Sequence, residues 1–158
     1  MRIVVAAFVS VAALGAFRSS VRAEPTAAAQ QAATSAPEPQ PSVWDGIYTE
    51  EQSQRGGLLY SEKCAPCHAP DLTGGETAPA LASADFKSTW SGLSVDDLFE
   101  RIKVSMPQDN PGSLSRQQTA DTLAFVLARG GFPAGTRELA REAEILKQIR
   151  FEATRPSP

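Results

Sequence analysis

Apolar side chains recur at helical spacing in several segments of the chain, and each segment begins with a residue that can cap a helix. Thr49, followed three positions later by Gln52, has the pattern of a capping box and predicts a first helix that runs to about Lys63. A second helix is predicted from Ser94 to a point before Pro107. Its apolar face consists of Val95, Leu98, Phe99 and Ile102.

Two further helices are predicted towards the C-terminal end of the sequence. Ser115 and Gln118 form another capping box before an apolar stripe, and Gly130 with Gly131 ends that third helix. A fourth helix is predicted over about Arg137–Gln148, where apolar residues again follow helical spacing. Because no strand pattern of comparable length occurs, the predicted fold class is all-α.

Two features interrupt the helical pattern, and each indicates a packing partner: a second helix in one case and a cofactor in the other. Gly56 and Gly57 lie inside the predicted first helix, where each glycine costs about 1 kcal/mol relative to alanine. The close approach of a second helix would explain them. Residues 69–92 form a long segment, rich in glycine and proline, that is predicted to be irregular. Since residues 43–135 hold few large apolar side chains, we expect a buried cofactor to complete the core around this segment.

The N-terminal part is typical of an export signal followed by a linker. Arg2 precedes the uncharged, mostly apolar residues 3–17, and cleavage is predicted after Ala23, which would place the mature protein in the periplasm. The alternative, a retained membrane anchor, needs about 20 apolar residues, and arginines interrupt this segment too early. Residues 24–42, rich in alanine and proline, are predicted to be a disordered linker that acts as a tether or an inert tail.

Composition and charge narrow the class of protein. A chain of 158 residues, with 42% hydrophobic and 21% charged residues, fits one globular domain. The formal net charge is -3, and removal of residues 1–23, which hold three arginines and no acidic residue, would make it -6. Such an acidic protein is not expected to bind nucleic acid or an anionic membrane. After cleavage we expect no membrane span, and we expect a monomer.

Both cysteines and the single histidine of the chain lie in one pentapeptide, Cys64-Ala65-Pro66-Cys67-His68. Cys-x-x-Cys-His is the attachment sequence of c-type haem, in which the two thiols form thioethers with the haem vinyl groups and the histidine ligates the iron. Because haem is rigid, the thiols must lie one helical turn apart. We therefore predict one haem c, attached through Cys64 and Cys67, with His68 as an iron ligand.

Three other interpretations of the same residues have less support. A thioredoxin-like redox pair would follow a strand in a βαβ pattern, which this sequence lacks. A zinc site would need an Asp or Glu as its fourth ligand. A simple disulfide between Cys64 and Cys67 is chemically possible in an oxidising compartment, but it would leave the adjacent His68 without a role.

Met106 is the candidate for the second iron ligand. It is the one methionine apart from the initiator, it stands at the predicted end of the second helix, and Pro107 fixes the backbone that follows it. Its plain alternative is a core side chain. With no second histidine, bis-histidine ligation within the chain is excluded. Lysine remains a formal alternative as ligand, at Lys63, Lys87 and Lys103.

About residues 44–132 resemble the class I monohaem cytochromes c, in particular their short, exported bacterial members. Gly56 and Tyr60 occupy positions where the family places a glycine and an aromatic residue, at the crossing of its N-terminal and C-terminal helices. Thr122 and Phe125 would be the matching positions on the other helix. The resemblance implies a cytochrome c fold with three core helices around one covalently bound haem.

The same resemblance assigns roles to other residues. Met106 looks like the family's distal ligand, and Pro79 resembles the proline whose carbonyl accepts a hydrogen bond from the proximal imidazole. Trp90 is similar to tryptophans at the haem edge, although a plain core role would explain it as well. The cytochrome c domain is expected over residues 43–135. Residues 136–158 are expected to form an extra C-terminal helical extension that packs on the outside or serves for docking.

The expected function follows from the ligand set. A haem with both axial positions taken neither binds oxygen readily nor accepts a substrate, so outer-sphere electron transfer remains. We expect a soluble periplasmic one-electron carrier, not an enzyme, that passes electrons from a dehydrogenase to a respiratory acceptor such as a terminal oxidase. The resemblance extends to exported monohaem cytochromes associated with quinoprotein dehydrogenases, and it rests on residues 77–81, Trp90, Met106-Pro107 and residues 131–133. The alternatives are a haem enzyme or gas sensor with a labile sixth ligand, and a fixed haem subunit of a dehydrogenase complex.

Overall fold

A computed structural model describes residues 40–157, so the predicted signal peptide (1–23) and nearly all of the predicted linker (24–42) lie outside the described residues. Six helices follow one another along this part of the chain. They are α1 (Glu50–Lys63), α2 (Ala65–His68), α3 (Ala84–Trp90), α4 (Val95–Ser105), α5 (Arg116–Arg129) and α6 (Ala143–Leu146). Within residues 40–157 β-pairing is limited to isolated bridges, which confirms the all-α class. Among the helices described, none is both long and apolar enough to cross a membrane.

The three long helices begin where the capping residues predicted. The side chain of Thr49 accepts a hydrogen bond from the backbone N–H of Gln52 at the start of α1, and Ser115 opens α5 in a complete capping box. Ser94 opens α4 in a capping box with Asp97. Each cap satisfies backbone donors that a helix leaves free at its N-terminus.

Helices α1 and α5 cross at Gly56, which confirms the close approach that the glycine indicated. A Cβ atom at position 56 would overlap the backbone carbonyl of Asp121 and press on the backbone nitrogen of Thr122. One turn further along, the ring centroids of Tyr60 and Phe125 lie 5.1 Å apart. The missing side chain lets the two backbones touch, and the haem motif follows directly at the end of α1.

Alanine substitution at the crossing should have different effects on stability at the two neighbouring glycines. Gly56→Ala is expected to lower the free energy of unfolding by about 3 kcal/mol, because the facing backbone cannot move aside. Gly57→Ala is the matched control: its Cβ would meet the ring of Phe125 at 3.2 Å, which can shift, and alanine favours the helix by up to about 1 kcal/mol. Denaturant unfolding measures both variants. Equal losses of stability at the two positions would contradict a tight crossing at Gly56.

The segment 69–92 is not irregular throughout, and that prediction was wrong for its second half. Residues 84–90 form α3, and its N-cap Ser83 accepts a hydrogen bond from the backbone N–H of Phe86 at 3.1 Å. Phe86 and Trp90 are partly buried against the main core. A helix of 7 residues is too short to show an apolar period in the sequence, so its pattern was not recognised.

The predicted fourth helix is shorter than expected. Of residues 137–148 only Ala143–Leu146 is helical, and the rest of the segment follows an irregular path. The expectation that this part packs on the outside was also wrong, because four of its apolar side chains are buried. They are Leu139, Leu146, Ile149 and Phe151. We call residues 136–153 the C-terminal strap.

The C-terminal strap completes the main hydrophobic core. Phe151 is fully buried, and its ring lies edge-on to Phe132 at 5.3 Å and to Phe86 at 6.3 Å between centroids. The other strap residues join apolar side chains of α4 and α5 in the same cluster. The strap therefore supplies part of the apolar volume that residues 43–135 lack.

Backbone and side-chain hydrogen bonds fix the strap in place. Arg150 forms β-bridges with both Ser42 and Ser94, so the strap lies between the start of the domain and the start of α4. The side chain of Gln52 does not close the capping box of α1. Its amide donates to the carbonyl of Leu139 at 3.2 Å and accepts from the N–H of Leu139 at 2.6 Å. Because both groups are buried, this pair anchors the strap to α1.

Candidate haem site

The Cys-x-x-Cys-His motif lies at the junction of α1 and α2. Cys64 ends α1 and precedes α2, which carries Cys67 and His68. Both thiols are free, with Cys64 half-buried and Cys67 exposed. Burial, with a smaller contribution from Cys67, raises the pKa of the Cys64 thiol to about 11. The two sulfur atoms thus belong to one helical turn and are unbonded, which is the arrangement that two thioether links require.

The imidazole of His68 is buried and held by a hydrogen bond to the backbone. Its Nδ1 lies 2.8 Å from the carbonyl oxygen of Pro79. Since a carbonyl only accepts, Nδ1 carries a proton, and in the neutral ring the lone pair is then on Nε2. A histidine in this tautomer can ligate a metal through Nε2, and the hydrogen bond fixes the orientation of the ring.

Residues 69–81 form the loop that returns Pro79 to the imidazole. Near its middle the backbone N–H of Gly74 donates to the carbonyl of His68 at 2.9 Å. Gly74 has a φ of +75°, and a Cβ there would press on the backbone of the returning part of the loop. Glycine therefore permits the tight closure that places Pro79 beside His68.

Tyr60 takes part in the site in a way that the sequence did not indicate. It was expected as the aromatic residue of the helix crossing, but its hydroxyl also donates to the carbonyl of Ala69 at 2.7 Å and lies 3.3 Å from that of His68. Burial, with smaller effects of Cys64 and Asp71, raises the pKa of Tyr60 to about 12. The hydroxyl is therefore a protonated donor at neutral pH. No local pattern signals these contacts, because they depend on where the loop returns.

Met106 stands where α4 ends, as the C-cap of that helix, and is half-buried. Two hydrogen bonds close the loop that follows it. The N–H of Asn110 donates to the carbonyl of Pro107 at 3.0 Å, and Lys103 Nζ donates to the carbonyl of Gly112 at 3.0 Å. The end of α4 and the hydrogen-bonded loop after it thus fix the backbone of Met106. Its role as an iron ligand stays a prediction.

Each lysine considered as an alternative ligand has another partner. Lys63 forms an ion pair with Glu62 at 2.8 Å, and this contact raises its pKa. Lys87 lies over the ring of Phe132, with Nζ 5.6 Å from the centroid. Lys103 donates to the loop that it closes. These contacts favour the methionine over a lysine as second ligand.

Trp90 ends α3 and packs against the main core. Its ring centroid lies 6.3 Å from that of Phe86, and both rings are partly buried in the same cluster. These contacts agree with the plain core alternative for Trp90. A role at the haem edge stays a prediction.

A small apolar cluster and a mainly acidic surface flank the motif. The cluster consists of Tyr60, Leu72 and Val126, with Cys64, Ala65, Leu81, Ala82, Phe86 and Phe125 packed against it. Between residues 61 and 80, three acidic side chains and one lysine are exposed, namely Glu62, Asp71, Glu76 and Lys63. Hydrogen bonds from Thr73 hold the pKa of Asp71 below its usual value, so this carboxylate is ionised at neutral pH. Exposed Arg129 of α5 also lies near Asp71, so the surface beside the motif carries a small net negative charge.

The residues at this site fit a c-type haem. Cys64 and Cys67 offer two free thiols on one turn, and His68 offers Nε2. Met106 at the end of α4 carries a thioether, and its place on the iron opposite His68 stays a prediction. The zinc alternative gains no support, because residues 40–157 contain no group of three His, Cys, Asp or Glu side chains arranged to hold a metal ion.

The family that matches the chain agrees with this assignment. Residues 51–126 match the family described as cytochrome c oxidase, cbb3-type, subunit III. Among solved structures, the sulfane dehydrogenase SoxCD from Paracoccus pantotrophus is 20% identical, with a TM-score of 0.43, and the match covers 75% of this chain and 68% of that chain. A likeness of this degree carries no argument about function. No curated protein sequence matches the chain significantly.

The matched residues include the haem motif, the helix crossing at Gly56 and the methionine at the end of α4. They lie on an all-α fold in which the Nδ1 atom of His68 is hydrogen-bonded to Pro79. The domain that contains residues 51–126 is therefore a class I monohaem c-type cytochrome, with haem c as its cofactor and haem-based electron transfer as its chemistry.

Proposed function

We propose that the protein is a periplasmic one-electron carrier in which His68 and Met106 ligate the haem iron. The hydrogen bond from Nδ1 of His68 to the carbonyl of Pro79 is the observation that carries the proposal, because it leaves Nε2 for the iron. Cys64 and Cys67 hold the haem as thioethers. When bound, haem c supplies the Fe(II)/Fe(III) couple.

The residues of the chain set the properties of that couple. Pro79 fixes the imidazole of His68, and the thioether sulfur of Met106 favours the ferrous state and raises the reduction potential. With His68 and Met106 as its ligands, the iron would offer no site to oxygen or to a substrate. Electrons enter and leave at the surface near Cys67, which is exposed. The proposed role is therefore outer-sphere transfer between partner proteins.

The proposal is tested by the absorption spectrum of the reduced, purified mature protein with and without carbon monoxide. An unchanged spectrum is expected, because Met106 occupies the sixth position. A rapid shift to a carbonyl spectrum would contradict the carrier, and the protein should then be tested as a gas sensor or peroxidase.

A fixed subunit of a larger redox complex is the second candidate. It is favoured by the name of the matching family, which describes a subunit of an oxidase. The two candidates differ in partner affinity. A stable stoichiometric complex after purification at physiological salt would support the subunit, whereas a free monomer would support a carrier that docks transiently with a dehydrogenase and an oxidase.

Export follows from the same proposal, with cleavage after Ala23. The intact mass of the protein recovered from the periplasm tests both the compartment and the cleavage site. A mass that includes residues 1–23 would instead favour a retained anchor.

The acidic surface beside the motif predicts a characteristic dependence of rates on salt. Oxidation of the reduced protein by tris(phenanthroline)cobalt(III), a cation, should slow as ionic strength rises from low to physiological, by up to about tenfold. Oxidation by ferricyanide, an anion, should become faster. Stopped-flow absorbance of the haem measures both rates.

Two charge variants locate the effect. Glu76→Gln removes an exposed carboxylate from residues 61–80 and should weaken the salt dependence. Glu144→Gln removes one from the C-terminal strap and should leave it unchanged. A rate with the cationic oxidant that is flat or rises with salt would refute the electrostatic steering.

A further inference from the structure

The hydroxyl of Tyr60 makes contacts that the helix crossing does not require. The ring already packs against Phe125, while the hydroxyl oxygen lies 2.7 Å from the carbonyl oxygen of Ala69 and 3.3 Å from that of His68. A phenol has one hydrogen to donate, so the shorter contact is the main hydrogen bond. Phenylalanine would fill the same space but would reach neither carbonyl.

Ala69 needs such a restraint, because its backbone is in an unfavourable conformation. It has φ of +63° and ψ of +153°, a region that is essentially restricted to glycine. A residue with a side chain stays there only when its surroundings hold it. Ala69 directly follows His68, so the unfavourable turn is the first step of the chain away from the proximal histidine.

The restrained turn leads into the loop that carries Pro79. The carbonyl of Ala69 also accepts from the N–H of Leu72 at 3.1 Å, and the carbonyl of His68 accepts from the N–H of Gly74 at 2.9 Å. Both carbonyls that Tyr60 reaches are therefore anchor points of the loop 69–81. At the far end of this loop, the Pro79 carbonyl meets Nδ1 of His68.

We infer that Tyr60 is a positioning residue for the proximal ligand. Its hydroxyl fixes the start of the loop 69–81, and the loop in turn holds the carbonyl of Pro79 on the imidazole of His68. This inference rests on the proposed role of His68 as an iron ligand. It gives Tyr60 a task at the site that an aromatic ring alone would not perform.

The test is the Tyr60→Phe variant of the haem-loaded, reduced protein. NMR measures the solvent exchange of the His68 Nδ1–H and of the Gly74 amide, and compares them with amides inside α4. Loss of one hydrogen bond should speed exchange at the first two protons roughly tenfold. The α4 amides should keep their rates, because a positioning role is local to the loop.

Val126→Ala is the matched control. Val126 is buried in the same small cluster as Tyr60, so its truncation lowers stability but leaves the hydroxyl in place. It should speed exchange to a similar extent throughout the domain, with no larger effect on the His68 and Gly74 protons. The positioning role is wrong if Tyr60→Phe speeds exchange equally at the loop protons and at the α4 amides. It is also wrong if the exchange rate of the His68 Nδ1–H stays unchanged.

The wild-type spectrum separates this inference from the proposed function. The ring protons of an imidazole bound to haem are shifted far upfield by the ring current of the porphyrin. If His68 lacks these shifts in the reduced wild-type protein, the ligand assignment fails and the inference fails with it. If the shifts are present and Tyr60→Phe has no selective effect, the inference alone fails.

Discussion

The Met106→Ala variant is expected to bind carbon monoxide when reduced and to have a lower reduction potential than the wild-type protein. Axial ligands set haem potentials over a span of about 0.8 V, and methionine sulfur raises the potential, so we expect a fall on the order of 0.1 V or more. Redox titration of the haem-loaded protein measures the fall. The carbonyl spectrum reports the open sixth position.

Lysine variants provide the controls for this result. Lys103→Ala removes the hydrogen bond that closes the loop after Met106 but leaves the sulfur, so its potential should stay close to that of the wild type. Lys63→Ala and Lys87→Ala should likewise have little effect. An unchanged potential in Met106→Ala would remove the methionine from the ligand set, and a large fall in one lysine variant would assign the position to that lysine.

Truncation of Phe151 should cost about 3–5 kcal/mol of unfolding free energy, the range for removing a large side chain from a packed core. Phe151 is 0% exposed and contacts Phe86 and Phe132, so the surrounding rings cannot close the cavity easily. Denaturant unfolding of Phe151→Ala, followed by far-UV circular dichroism, measures the loss. A loss this large would exceed a third of the stability of many domains.

Ile145→Ala is the control for the C-terminal strap. Ile145 lies on α6 in the same strap but is 48% exposed, so its truncation should change stability by no more than about 0.5 kcal/mol. A small effect of Phe151→Ala, comparable with that of Ile145→Ala, would mean that the strap does not contribute to the core.

Local signals in the sequence predicted the long helices and the haem motif, because these depend on short-range spacing. The caps at Thr49, Ser94 and Ser115 specify where helices begin, since each side chain bonds a backbone group three residues away. The crossing at Gly56 was also predictable, because glycine is unfavourable inside a helix unless another backbone comes too close for a side chain. The haem motif can be recognised from the sequence because two thiols and one imidazole lie within five residues.

Long-range packing explains where the predictions were wrong. Leu139 and Leu146 both fall within the predicted fourth helix, whereas the chain between them becomes helical only at Ala143, and both side chains enter the core from the strap. Their burial is set by contacts with residues such as Gln52, far away in the sequence, and no local period records such contacts. Pro79 illustrates the same limit. The residues around Pro79 in the sequence do not indicate that its carbonyl contacts His68, and only the family resemblance predicted this contact.

The pairing of Arg150 with Ser42 brings the two ends of the folded part together at one point on its surface. The contact from Trp44 Nε1 to the carbonyl of Glu152 at 3.0 Å, across 108 positions of sequence, strengthens that closure. Pro41, whose carbonyl accepts from the N–H of Arg150 at 2.8 Å, therefore lies on the same side of the folded part as the end of the C-terminal strap. A force applied at Pro41 or Ala153 would therefore act first on the contacts of Ser42 with Arg150 and of Trp44 with Glu152, and only then on α1 and α5.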